Sequence, residues 1–209
     1  MTRAANFLVV VESVTGLVVT ALATGIVFVR FSRVRSKIRF VKRVAISPDQ
    51  GVPNLTVRIG NERRAPIVDV SFRMTLIRTI TTQEGVTMYR SENLKLVHDQ
   101  TPILTSATLL RHVIDPESPM VADTPDTFAA ADVELVVAVR GTDETSLQPV
   151  HARKNWSFKN LVWGARLSDV ITETTPTDIV LDLRRFDDLE PSDPTPDFPY
   201  RADPETLRS

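Results

Sequence analysis

Seven cations crowd into the fourteen residues from Arg30 to Arg43: Arg30, Arg33, Arg35, Lys37, Arg39, Lys42 and Arg43, with no acid among them. Anionic lipid headgroups suit such a cluster, each cation being worth about 1 kcal/mol near a charged bilayer surface. A plain topology signal would look the same, and composition does not separate the two. Just upstream, Asn6 to Val29 is almost wholly apolar, and Glu12 is its sole ionisable residue. A carboxylate at membrane depth is costly and normally faces a protein interior or a water-filled path. Thr20, Thr24 and Phe28 recur every four residues and so lie near one face of a helix. A dimerisation surface and a pore-lining stripe both fit that spacing. Gly16 and Gly25 permit close packing or a bend.

Enzyme chemistry has little to draw on. His98, His112 and His151 are separated singletons without metal-ligand spacing, and each reads as an ordinary surface or core polar residue. Cysteine is absent, which excludes a disulfide framework and a thiolate metal site. No phosphate-binding loop, dinucleotide fingerprint or nucleophile elbow is present. A net charge of −1 over 209 residues argues against nucleic acid as a partner. No cofactor is expected.

The elements that position these residues fall into three regions. An apolar segment of this length spans a hydrocarbon core, which needs roughly 20 residues in a helix. The basic cluster after it places everything downstream in the cytoplasm by the positive-inside rule. The expectation is a single-pass protein of the cell membrane with a cytoplasmic carboxy-terminal domain. A signal peptide cleaved near Ala21-Leu22-Ala23 and a buried helix are the competing readings. From Ile38 to about Leu183 the apolar pattern has period two, most cleanly in Leu55–Ile59, Val68–Leu76 and Val133–Val139. That alternation marks half-buried strands. Turn signals at Pro48–Gly51, Gly60-Asn61, Glu84-Gly85, Asp115-Pro116 and Gly141–Asp143 break it into short pieces. The expected fold is an all-β, immunoglobulin-like sandwich preceded by one transmembrane α-helix. One short helix, Pro125 to Ala131, is expected within it, capped by Asp123 or Thr124. The tail from Asp187 carries five prolines among scattered acids and is expected to stay disordered. The boundaries are thus 4–31 for the inner helix, 32–43 for a basic linker, 44–186 for the sandwich and 187–209 for the tail.

Several blocks resemble the prokaryotic inward-rectifier potassium channels. The first is Ala21-Leu22-Ala23-Thr24-Gly25 with Val27-Phe28 and Arg30-Phe31-Ser32-Arg33. Others are Gly60-Asn61-Glu62-Arg63, Glu84-Gly85-Val86, Leu94–Val97 and His112–Pro119. Gly141–Thr145 and Arg185–Asp188 complete the series in the family's order over roughly residues 6 to 190.

The resemblance implies a homotetramer in which four inner helices line a potassium pore and four sandwich domains extend it inward. It implies that Phe28 forms the constriction, with Thr24 one turn above it and Thr20 at a pore-facing site. Gly16 and Gly25 become hinge candidates. Arg30, Arg33 and Arg35 correspond to contacts with anionic lipid, the implied regulator. Asp69 corresponds to an acid of the cytoplasmic vestibule, and Gly141 to Ser146, including Thr142 and Asp143, to a loop narrowing the cytoplasmic pore. Arg140 stands where the family often has an acid, and a ring of arginines repels potassium. Val34 replaces a common proline, which leaves that hinge less stiff. The family's outer helix, pore helix and selectivity filter have no counterpart in these residues, so a truncated channel subunit is expected. A regulatory subunit joining full-length partners, and a membrane-anchored interaction module without conduction, are the alternatives.

Overall fold

A computed structural model of the chain describes residues 3–32, 37–175, 178–204 and 207. It divides into two compact units, residues 1–35 and 36–209.

The first unit is helix α1, Arg3–Ser32, unbroken through Gly16 and Gly25. Within it Ala5–Phe28 is long and apolar enough to cross a membrane. Four hydroxyls in this stretch turn back onto their own helix. Ser13, Thr15, Thr20 and Thr24 each donate to the carbonyl four residues earlier at 2.8 Å. No hydroxyl of these four therefore needs water, which suits a hydrocarbon surrounding.

The second unit begins with β1 (Ile38–Phe40), β2 (Val44–Asp49), β3 (Val52–Asn61), β4 (Ile67–Thr81), β5 (Thr87–Leu94), β6 (Gln100–Leu104) and β7 (Ala107–Val113). Helix α2 (Pro125–Ala130) follows, then β8 (Glu134–Asp143), β9 (Pro149–Ser157), β10 (Leu161–Trp163) and β11 (Ala165–Leu167). The chain closes with β12 (Ile171–Thr175), β13 (Asp178–Leu181) and β14 (Leu189–Pro191). Two five-stranded sheets carry the fold. In one, β7 pairs along β3, whose other edge takes β2 and then β1, and β10 joins β2 in parallel. In the other, β4 is shared by β6 and β5 on one edge and by β8 on the other, with β9 outermost.

Local chemistry sets the connections. The two-residue turn between β2 and β3 is Gln50-Gly51, both at positive φ, the twist that a tight hairpin needs. Helix α2 starts at Thr124, whose hydroxyl accepts from Thr127 N–H while Thr127 reciprocates to the Thr124 N–H. The alternating faces of both sheets meet in one core, which includes Ile46, Leu55, Ile59, Met74, Leu76, Leu110, Leu135 and Trp156. An all-β, two-sheet domain behind one long apolar helix is thus the architecture.

Two expected boundaries shift. Part of the basic linker belongs to the β domain: β1 pairs with β3, and Val41 is fully buried. Residues 187–204 of the tail are folded onto the domain. Strand β14 pairs with β11, and Phe198 and Ala202 are buried. Phe198 stacks on Trp163 with centroids 5.9 Å apart, while Tyr200 meets the same indole edge-on at 5.0 Å. Prolines and acids dominate the tail's composition, but a few aromatic and aliphatic side chains suffice to dock it.

Candidate channel-type site

On α1, Thr20, Thr24 and Phe28 lie within about 80° of one another. Gly16 and Glu12 hold the next i−4 positions, but a drift of about 40° per step turns Glu12 about 160° away from Phe28. Thr20 and Thr24 are linked, since the Thr24 hydroxyl donates to the Thr20 carbonyl and the Thr20 hydroxyl to that of Gly16. Phe28 is 71% exposed. A Cβ at Gly16 or Gly25 would meet nothing within 4 Å, so neither glycine is required by packing within this chain.

The basic cluster divides. Arg30 lies in the last turn of α1, while Arg33 and Arg35 fall outside the described residues. Arg39 is held within the β domain: it pairs with Asp187 at 2.8 Å and lies 4.5 Å over the Phe186 ring. The same carboxylate accepts from Lys42 N–H, and Arg43 donates to the Leu207 carbonyl. Val41 O receives both Lys154 Nζ at 2.9 Å and Trp156 Nε1 at 3.0 Å. Desolvation is the main cause that lowers the Lys154 ammonium below its ordinary pKa. Deeper in, the buried Arg58 donates to the carbonyls of Phe186 and Ser168, and burial lowers its pKa as well. Residues 39–43 are therefore fastened to the tail and to β9.

At the other candidate site, β4 carries a bulge. Val68 faces Thr142 and Ser71 faces Arg140, so Asp69 and Val70 together oppose Gly141. Asp69 sits at φ +51° and is exposed. The extra residue brings both Ile67 and Val70 into the core, where strict alternation would have buried Val68. Arg140 does not turn into the domain. It is exposed on the outer face of β8, with Ser71 on one side and His151 on the other.

The expected pore loop, Gly141 to Ser146, spans the end of β8 and the turn after it. Gly141, Thr142 and Asp143 complete strand β8, and the turn is Glu144 to Gln148. Asp143 offers no exposed carboxylate. Its side chain is fully enclosed, accepts from the N–H and hydroxyl of Ser146, and pairs with Arg63 at 3.0 Å. Those contacts, the Ser146 N–H first, hold its carboxyl below the usual range. Asp143 is thus a structural anchor.

His112 is a core polar residue. The Lys95 carbonyl can only accept, so Nδ1 donates to it at 2.7 Å, and Nε2 meets the Ser118 hydroxyl at 2.8 Å. Arg73 and Arg153, which share the outer face with Arg140, were not legible as partners in the sequence. Period two puts Arg73 on that face, but the register that joins β4, β8 and β9 comes only from the structure.

A helix long enough to span a bilayer, followed by a two-sheet β domain, defines the class as an apolar-anchor protein with a folded head. The chain belongs to the inward rectifier potassium channel family: the profile described as "Inward rectifier potassium channel C-terminal domain" matches residues 38–206. It is similar to the inward rectifier potassium channel Kirbac3.1 of Paramagnetospirillum magnetotacticum, with 31% identity over 88% of this chain and 63% of that one. It is also 28% identical to human inward rectifier potassium channel 4, over 79% of this chain and 39% of that one. The chain thus spans less than two thirds of the length of these relatives. The family is one of channels and not of enzymes.

Proposed function

We propose that the chain is a subunit of a potassium channel of the inward-rectifier type and supplies its inner helix and cytoplasmic domain. What carries this reading is one adjacency: the spanning-length helix Ala5–Phe28 is followed, ten residues on, by the family's carboxy-terminal domain from residue 38. In this reading α1 crosses the cell membrane, the β domain is cytoplasmic, and four copies assemble about a common axis. Thr20 and Thr24 line the path, and Phe28 closes it. Four apolar rings of that kind shut a pore by dewetting. Gly16 and Gly25 give α1 room to bend. Arg30, Arg33 and Arg35 meet anionic headgroups, while Asp69 and Arg140 border the cytoplasmic vestibule. Full-length subunits are partners able to contribute a selectivity filter.

The gate is tested in a chimera that places a relative's filter-bearing segment ahead of α1. Phe28→Ala raises its open probability in single-channel recordings, and unchanged gating removes Phe28 from that role.

One observation favours a second reading, an anchored regulatory module that does not conduct. The exposed Arg140 puts positive charge where a potassium vestibule gains from negative charge. Potassium flux through the same chimera separates the two readings.

A further inference from the structure

Three arginines on the outer face of the β4–β8–β9 sheet, Arg73, Arg140 and Arg153, are exposed and have no ion-pair partner among the described residues. The register brings them together. Arg73 and Arg153 flank Ala138 on one rung, and Arg140 stands two residues further along β8, between Ser71 and His151. Diagonal neighbours on a sheet are about 7–8 Å apart, so Arg140 lies within reach of both others. Arg73 and Arg153 are two strand spacings apart, about 10 Å. Ala138 leaves the floor between them low, and a cleft lined by Ala138, Arg140, His151, Ala152 and Arg153 opens beside it.

Three like charges this close repel one another, and among the described residues no carboxylate lies within the triangle to offset them. Asp69 is at the edge, in the bulge before Ser71. The arrangement has the chemistry of an anion receptor. Guanidinium forks bind phosphate oxygens in pairs, and a spread of about 10 Å suits two or three linked phosphates better than a single one. Around the three arginines the rungs hold Ser71, Thr75, Val136, Ala138 and Asn155, with no Phe, Tyr or Trp, and His151 as the one ring there. That disfavours single-stranded nucleic acid.

We propose that Arg73, Arg140 and Arg153 bind a small linear polyphosphate on the outer face of the β4–β8–β9 sheet. Each chain carries all three arginines; in the proposed tetramer, where Arg140 borders the vestibule, the anion reaches them from there. The test is calorimetric titration of the full chain in neutral detergent with inorganic tripolyphosphate, with backbone amide shifts followed by NMR. Saturable binding of one anion per chain is expected, weakened by salt. Each of Arg73→Ala, Arg140→Ala and Arg153→Ala lowers affinity about tenfold, as for loss of a charge-assisted bond. Arg166→Ala, an exposed arginine paired with Glu190 outside the patch, leaves affinity unchanged. The largest shifts fall on Ala138, Arg140 and His151. Absence of binding, equal affinity in the triple alanine variant, or shifts confined to Arg30–Arg43 overturns the proposal. Circular dichroism of each variant guards against misfolding.

Discussion

Gly141 is the single residue of β8 set against the two-residue bulge Asp69–Val70 of β4, and its missing side chain is what lets the bulge close. A Cβ there would come within 2.6 Å of Ile67 Cγ2 and 3.1 Å of Val68 O. Gly141→Ala should therefore destabilise the domain by about 1–3 kcal/mol, the usual cost of overpacking. Asp69→Gly, which removes a side chain from a positive-φ position, should stay within about 1 kcal/mol of wild type. Thermal denaturation of both variants in detergent checks the contrast.

Removal of residues 187–209 should destabilise the domain. It would strip β14 from β11 and Phe198 from Trp163. Phe198→Ala alone should cost about 3–5 kcal/mol, as for a buried phenylalanine. Denaturant unfolding measures this, and an unchanged midpoint would mean that the tail contributes nothing.

Val41 O joins the segment after α1 to β9 through two donors. Trp156→Phe leaves Lys154 in place and should cost about 1 kcal/mol. Combining it with Lys154→Met leaves a buried carbonyl unpaired, so the double variant should lose more than the sum of the singles. A double-mutant cycle reads the excess.

Asp143 predicts an acid limit. Because contacts with Ser146 and Arg63 lower its folded pKa, the charged form stabilises the fold. That contribution is fully present above the unfolded value of about 3.9 and is lost as pH falls through the lower folded value. Asp143→Asn should flatten the fall of Tm on the acid side, as measured from about pH 2 to 6.

The sheet faces were legible because alternation in β3, β4 and β8 is strong, and the capped helix α2 was legible from Thr124 and Pro125. The bulge was not, since nothing in Val68-Asp69-Val70 announces a positive φ. The docked tail escaped because Phe198 and Tyr200 find their partner in Trp163, some 35 residues away, and no local pattern encodes that meeting. Asp143 read as part of the loop narrowing the cytoplasmic pore because a strand-end acid looks the same in sequence whether it faces solvent or Arg63. On the helix, Glu12, Gly16, Thr20, Thr24 and Phe28 all stood out in the sequence, because polar, small and aromatic residues are rare in an otherwise aliphatic run.

The claim on which the rest depends is that α1 sits in a bilayer as one of four copies. Light-scattering or native mass measurement of the purified full chain in neutral detergent tests it directly. A protein mass of four chains, extracted only with detergent, is the predicted result. A water-soluble monomer with α1 folded onto its own β domain would contradict it.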